Sequence, residues 1–152
     1  MAAYNSQLEA VGRGAFPALG AKVGVVEKEI DINAAVAQKG SALAAEDTVE
    51  VFSLRKGQAV LAAGFTVVEA AAGTALAIDL GDSDDVDRYV ANFNAKSDAG
   101  TVAQMVPANL PFIYVGANTL DINMKTVTSV TDHKWGKVRV WAVIADVEGL
   151  SG

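Results

Sequence analysis

The stretch from Gln58 to Asn94 constrains the fold more than any other part of the chain. Between Thr74 and Leu80 every second residue is a large aliphatic one, the alternation of a half-buried β-strand. The preceding run, Val60 to Glu69, is rich in small and β-branched residues, and Ala70–Gly73 can turn the chain between the two segments. We therefore predict two strands joined as a hairpin.

The hydrophobic period changes after Gly81. The next apolar residues recur at the i, i+3, i+4, i+7 spacing of one helix face: Val86, Tyr89, Val90 and Phe93. Asp82 or Ser83 is placed to cap such a helix, and Asp84 and Asp85 would lie in its first turn. This pattern predicts that the hairpin turns a corner through a short helix.

Six further segments have the composition or alternation of short strands: Val23–Ile32, Thr48–Leu54, Thr101–Val106, Pro111–Val115, Thr119–Thr126 and Lys137–Val147. The segment Trp141–Ala145 is apolar on both faces, which is typical of a strand in the centre of a sheet or against a partner. Thr119–Thr126 alternates cleanly, with Leu120, Ile122 and Met124 predicted to point inward and Asp121, Asn123 and Lys125 outward. Asn33–Asp47 is alanine-rich and broken at Gly40, so it is either a short helix or a loop.

Many short strands with turns between them and one convincing helix predict an all-β protein. The expected architecture is an antiparallel, jelly-roll-like β-sandwich with one short helix and an extended N-terminal arm. We place the arm at residues 1–22 and a single sandwich domain at residues 23–152.

The N-terminal arm combines residues that break regular structure with apolar ones. Its breakers are Gly12, Gly14, Pro17 and Gly20. Its apolar and aromatic candidates for contact with another protein surface are Tyr4, Leu8, Val11, Phe16 and Leu19. Such an arm lies along its own domain, lies along a neighbouring subunit, or is poorly ordered.

Composition limits the partners and the chemistry. The 152 residues carry a formal charge of -6, which disfavours binding to nucleic-acid phosphates and to anionic membranes. The chain has no cysteine, which excludes disulfides, zinc–thiolate sites and a cysteine nucleophile. The sequence MAAYNSQLEAV lacks the pattern of a secretory signal, and no apolar run is long enough to span a membrane. We expect a soluble protein made in the cytoplasm of a cell, without export.

Two patterns suggest chemistry, and each has a structural alternative. Several aspartates lie between Asp79 and Asp87 and could hold calcium, but Val86 occupies a position where a calcium loop needs an oxygen. Acids at a helix N-terminus also explain them. Gly81-Asp82-Ser83 is similar to the nucleophile block of GDS-type esterases, but Val130 stands where that family's acid precedes its histidine, here His133. We expect no enzyme activity and no cofactor.

The two tryptophans are the remaining candidates for binding. Trp135 and Trp141 could form an aromatic platform for a sugar, and core or subunit contacts are the preferred interpretation of both. Trp135, beside Gly136, is the one expected to be more exposed.

One resemblance bears on function. The run LAAGFTVVEAAAGTALAIDLGDSDDVDRYV, the segment TLDINMKTVTSV and the final KVRVWAVIADVEG resemble small structural proteins of tailed-bacteriophage virions. The resemblance is to the head-decoration or cement class and covers about Thr48 to Val147.

This resemblance implies a β-rich subunit without catalytic residues that lies on the capsid exterior of the virion. It implies that the subunit self-associates, most often as a homotrimer and alternatively as a dimer. It further implies that the subunit stabilises the capsid by binding adjacent copies of the major capsid protein. The alternative function is a tail-fibre or carbohydrate-binding β-module, which would need an exposed aromatic platform.

Overall fold

The computed structural model describes residues 22–104, 111–128, 130 and 134–147. One helix lies among the described residues, α1 at Ile32–Lys39. The strands are β1 Lys22–Asp31, β2 Thr48–Leu54, β3 Gln58–Glu69, β4 Ala75–Gly81, β5 Val90–Asn94, β6 Val102–Gln104, β7 Phe112–Ile113, β8 Asn118–Thr128 and β9 Lys137–Asp146. No helix in these ranges is long and apolar enough to cross a membrane.

The strands form two antiparallel sheets. Sheet 1 has the order β1-β9-β3-β6, with β7 also paired to β3, and sheet 2 has the order β2-β8-β4-β5. The predicted all-β sandwich with one short helix is therefore confirmed. The predicted arm lies outside the described residues except for Lys22, which already pairs with Asp146 as the first residue of β1.

The hydrophobic core lies between the sheets. Sheet 2 contributes the alternate aliphatic residues of β4 and β8, including Leu76, Ile78 and Ile122. From sheet 1, Phe65 stacks on Phe93 of sheet 2 with ring centroids 5.3 Å apart. This contact joins the two sheets, because aromatic rings offset at this distance add attraction to the burial of their area.

The hairpin predicted within the Gln58–Asn94 stretch is wrong. β3 pairs with β6, β7 and β9 in sheet 1, whereas β4 pairs with β5 and β8 in sheet 2. The link that follows Glu69 carries the chain from one sheet to the other, so β3 and β4 do not pair. Alternation identified both strands, but it does not determine which edges they pair with.

The predicted helix after Gly81 is also wrong. Residues 82–89 form turns, and β5 follows at Val90–Asn94. Val90 pairs with Leu80 and Phe93 with Ile78, across a register shift, and Asn92 has a φ of 57°. This irregularity lets Val90 and Phe93, three positions apart, both face the core, which imitates the spacing of a helix.

The helix lies instead in the alanine-rich segment whose structure the sequence left open. The Asp31 side chain accepts a hydrogen bond of 2.9 Å from the Asn33 N–H, which caps α1 at its start. Gly40 ends it with a φ of 82°, a left-handed conformation that costs glycine little. Ile32 anchors the helix in the core.

Of the two positions that the apolar faces of the last strand allow, the structure shows the central one. β9 lies between β1 and β3, with Val25 opposite Val143 and Gly64 opposite Trp141. Its residues Val138, Val140 and Ala142 are buried between the sheets. Trp141 and Val143 therefore face outward, where both are half-buried.

Candidate functional site

The acid-rich turn after β4 is organised by one carboxylate. Asp82 accepts hydrogen bonds of 3.0 Å from the backbone N–H groups of Asp84 and Asp85. Its own N–H donates to the Asp85 carbonyl, and the Tyr89 N–H donates back to the Leu80 carbonyl. Asp82 is thus a cap, as the sequence indicated, but it caps a tight turn that leads into β5.

Asp82 also binds side chains from two other parts of the chain. Its Oδ2 accepts a hydrogen bond of 2.6 Å from Arg88 Nε and one of 2.8 Å from the Tyr114 hydroxyl. The Tyr114 hydroxyl lies 2.6 Å from that of Tyr89. The Arg88 guanidinium covers the Phe112 ring at 3.7 Å from its centroid. We call Asp82, Arg88, Tyr89, Phe112 and Tyr114 the corner network, because it fastens the turn to the segment containing β7.

The charges of the corner network are fixed near neutral pH. Burial raises the pKa of Asp82, but hydrogen bonds from Arg88, Tyr114 and the backbone outweigh it, so the net pKa lies below its ordinary value. Burial raises the pKa of Tyr89 to about 12, and burial together with the bond to Tyr89 raises the pKa of Tyr114. Aspartate and arginine are therefore ionised and both tyrosines protonated at pH 7. The arrangement stabilises a turn, and none of these groups exchanges a proton near pH 7.

Sequence reasoning identified Asp82 but missed its partners. Arg88 follows Asp82 by six positions, and a basic residue at the end of an acid-rich run is a usable signal. Tyr114 is 32 positions away, and only the proline three residues before it sets it apart in the sequence. The bond between Tyr114 and Asp82 depends on the pairing of β7 with β3 beside the turn. The local sequence pattern does not encode that pairing.

The aspartates considered for calcium have protein partners. Asp79 Oδ1 accepts a hydrogen bond of 2.6 Å from the Asn92 N–H, and its Oδ2 lies 3.4 Å from the Asn123 amide. Asp84 accepts one from Asn118. In the part of the chain that the structure describes, no three acidic or histidine side chains are grouped to hold a metal ion.

The serine of the esterase-like block hydrogen-bonds an amide. The Ser83 hydroxyl donates to Asn118 Oδ1 at 2.9 Å. His133 lies outside the described residues. The structure thus gives Ser83 a bond that ties the corner to the start of β8.

Asp121 and Asn123 point away from the core, as the alternation predicts, but they do not reach solvent. Both are buried, and Asp121 is only 8% exposed. Asn123 pairs with Asp79 on β4 and Asp121 lies opposite Glu50 on β2. These residues do point away from the core, as alternation requires, but neighbouring groups cover them; alternation gives the direction of a side chain and not its exposure.

Asp121 is unusual because Oδ1 is buried and has no hydrogen-bond partner. Burial, with the negative charges of Glu50 and Asp82, raises its pKa above the ordinary value of 3.8, although a hydrogen bond with Thr119 opposes the shift. The carboxylate form therefore weakens the folded state.

We predict that Asp121→Asn raises the free energy of unfolding at pH 7 by about 1 kcal/mol, because the amide removes an unfavourable buried charge. Because the pKa of Asp121 is raised in the folded state, the wild type does not bear this cost below pH 3.8, where the carboxyl group is protonated. The cost appears as the pH rises through the pKa of the folded state. The gain, measured by urea unfolding, should shrink between pH 7 and pH 4.

Asp98→Asn is the control for this prediction, because Asp98 is an exposed loop aspartate. Its effect should stay within about 0.5 kcal/mol at both pH values. Equal effects of the two substitutions would show that Asp121 carries no such cost.

The two tryptophans occupy different environments. Trp135 is 2% exposed and packs in the core, so the expectation of greater exposure is wrong and its ring offers no platform for a sugar. Trp141 lies on the outer side of sheet 1 against Gly64. The arm residues predicted as contacts lie outside the described residues: Tyr4, Leu8, Val11, Phe16 and Leu19.

A shallow open depression lies at the edge of sheet 2. It is lined by the start of β4, by Asn92 and Asn94 of β5 and by Lys96. The Lys96 ammonium already donates to the carbonyls of Gly73 and Thr74. The depression is remote from the corner network's charged pair and adds no reactive group to it.

Comparison with protein-family models and with curated proteins finds no match. Three solved chains share the fold. One is in the acidic stable capsid structure of Helicobacter pylori bacteriophage KHP30, with 12% identity, a TM-score of 0.55, and coverage of 81% of this chain and 86% of that one. Another is in the cyanophage Pam1 capsid asymmetric unit, with 17% identity, a TM-score of 0.53, and coverage of 82% and 84%. The third is in the capsid of Ralstonia phage GP4, with 16% identity, a TM-score of 0.57, and coverage of 81% and 83%.

Proposed function

We propose that this chain is a structural protein of a tailed-phage virion that decorates the capsid exterior and stabilises the shell. In this role it binds adjacent major capsid protein subunits and self-associates, as a homotrimer rather than a dimer. It acts through binding surfaces and not through catalysis.

The observation that carries the proposal is the fold shared with chains of three phage capsids. The likeness covers more than four-fifths of both partners in each comparison, so the similar chains are whole small proteins and not domains of larger ones. A small chain inside a capsid structure suits a subunit added to the shell, in agreement with the resemblance found in the sequence.

The surface and the corner support the same function. Apolar side chains reach solvent on sheet 1, at Val25, Val102 and Ile113, and just after β7, at Val115. Exposed apolar groups of this kind favour contact with other proteins. The corner network makes a rigid support whose charges do not change near neutral pH. Both features suit a protein that acts through its binding surfaces.

The test is to remove the chain from the phage that encodes it. Particles lacking it should assemble and package DNA but release DNA at a lower temperature than wild-type particles, and purified chain added back should restore the release temperature. Antibody labelling of intact particles should place the restored chain on the outside. Failure of shell assembly without the chain, or labelling only after disruption, would contradict decoration.

We further predict that deleting residues 1–20 abolishes attachment to capsids, because the apolar residues of the arm supply contacts to neighbouring subunits. Co-sedimentation with particles lacking the chain measures attachment. The unfolding temperature of the same variant shows whether the sandwich is intact. Undiminished attachment would remove the arm from the proposed function.

A further inference from the structure

The outer side of sheet 1 carries a cluster of apolar side chains. Val25 on β1 is 57% exposed and Val102 on β6 is 52% exposed, and Trp141 and Val143 of β9 are half-buried between them. Val25 lies directly opposite Val143 in the register, and Trp141 is the next outward residue along β9. We call Val25, Val102, Trp141 and Val143 the outer patch.

The tryptophan of the outer patch is held in place by the strand beneath it. A Cβ on Gly64 would meet Trp141 Cζ2 at 2.6 Å and would also meet the Ala103 carbonyl oxygen, so the indole lies directly on the glycine backbone. The indole therefore presents a fixed apolar surface, since its position is determined by packing and not by solvent. A fixed ring loses little conformational entropy when it makes a contact.

The position where the chain enters sheet 1 indicates the occupant. β1 begins at Lys22, opposite Asp146 at the end of β9, and Asp146 lies opposite Gln58 at the start of β3. All three strands therefore end together there, which is the end of the sheet where residues 1–21 join it.

The preceding segment has the length and composition to cover a neighbour. Twenty-one residues precede Lys22, and a segment of that length reaches about 70 Å when extended, which exceeds the length of a ten-residue strand of about 33 Å. The segment contains one acidic and one basic residue, Glu9 and Arg13, so its apolar residues dominate. The outer patch is apolar as well, and charged residues border it: Glu27 lies opposite Trp141, and Arg139 pairs with Glu29.

We propose that the outer patch receives the N-terminal segment, residues 1–21, of a second copy of this chain. Apolar side chains of the segment, such as Phe16 and Leu19, cover Val25 and Trp141 of the neighbour. The proposal rests on the self-association included in the proposed function and specifies which surfaces meet.

The absence of cysteine from the chain permits a clean crosslinking test. One batch of full-length chain carries Phe16→Cys and another carries Val25→Cys; they are mixed, oxidised and separated on a non-reducing gel. The control replaces Val25→Cys with Val86→Cys, a valine of comparable exposure, 43%, in the turn after β4. Docking raises the effective concentration of the two thiols, so we expect about tenfold more mixed dimer with Val25→Cys than with Val86→Cys.

Three outcomes would overturn the proposal. Disulfide formation only within a doubly substituted chain would show that the segment covers its own sheet. Dimers of Val25→Cys alone, without the Phe16→Cys partner, would show that two outer patches face each other. Equal yields with Val25→Cys and Val86→Cys would show that the segment does not dock on the outer patch.

A second measurement separates this inference from the proposed function. Val25→Lys should convert the purified oligomer to monomer in analytical ultracentrifugation, whereas Val86→Lys should not. Both variants should still unfold cooperatively, as expected if each sandwich is intact. These measurements contain no capsids. Loss of crosslinking with intact capsid stabilisation would therefore refute only the docking, and crosslinking without capsid attachment would refute only the proposed function.

Discussion

Asp82→Asn is expected to lower the free energy of unfolding by about 3 kcal/mol, the largest loss from a single uncharged replacement in the corner. The carboxylate is 1% exposed and accepts bonds from Arg88, Tyr114 and two backbone N–H groups. Removing one member of a buried ion pair leaves the other without compensation, which costs about 3–5 kcal/mol. Arg88 retains some solvent access, so the lower end of that range applies.

The pH dependence of the loss in Asp82→Asn tests whether the ionised carboxylate is its cause. The pKa of Asp82 lies below the ordinary value of 3.8, so its ionised form stabilises the fold above that pH. The stabilisation disappears as the pH falls through the lowered folded value. The difference between wild type and Asp82→Asn should therefore be full at pH 7 and should decrease in acid, the same direction as the gain from Asp121→Asn.

The matched control is Asp84→Asn, two positions along the same turn. Asp84 is exposed and accepts a single side-chain hydrogen bond, from Asn118. Its replacement should change the free energy of unfolding by no more than about 0.5 kcal/mol. If urea unfolding shows equal losses for the two substitutions, Asp82 is not the centre of the corner.

Gly64→Ala is expected to lower the free energy of unfolding by about 2–3 kcal/mol, because a methyl group has no space there. It would overlap the Trp141 ring and the backbone carbonyl of Ala103, so either the ring must leave or β6 must move. Neither atom is the free end of a flexible side chain. Tryptophan fluorescence should also change, since Trp141 and Trp135 are the only indoles in the chain.

Gly116→Ala is the control for Gly64→Ala. No atom would lie within 4 Å of a Cβ at Gly116, and the loop after β7 is exposed there. The substitution should leave both the unfolding midpoint and the fluorescence nearly unchanged. Two variants with equal midpoints would mean that the indole does not rest on Gly64.

The acidic corner shows where sequence reasoning reached its limit. The sequence predicts Asp82 or Ser83 as a cap, and it is the Asp82 side chain that accepts bonds from the next backbone N–H groups. The spacing of the apolar residues that follow predicts a helix, but a bulged strand can also bring residues three positions apart to one face. Only the pairing of β5 with β4 distinguishes the two.

The outward face of β8 shows a similar limit. The direction of Asp121 and Asn123 follows from alternation, but their burial follows from what lies above them in the folded chain. The bond between Asn123 and Asp79 joins residues 44 positions apart. Contacts at such separations are set by sheet order and are absent from any local pattern.

The sequence by itself determined the local properties of this protein: that most of its segments are strands, that the last strand is apolar on both faces, that the fold is an all-β sandwich, and that charge disfavours nucleic acid. These follow from side-chain period and composition, which act over a few residues. Tertiary structure alone decided that β3 and β4 belong to different sheets, that Tyr114 meets Asp82, and that Trp141 rests on Gly64. The reason is that strand pairing satisfies backbone hydrogen bonds between distant segments, and each pairing becomes favourable only in the presence of the others.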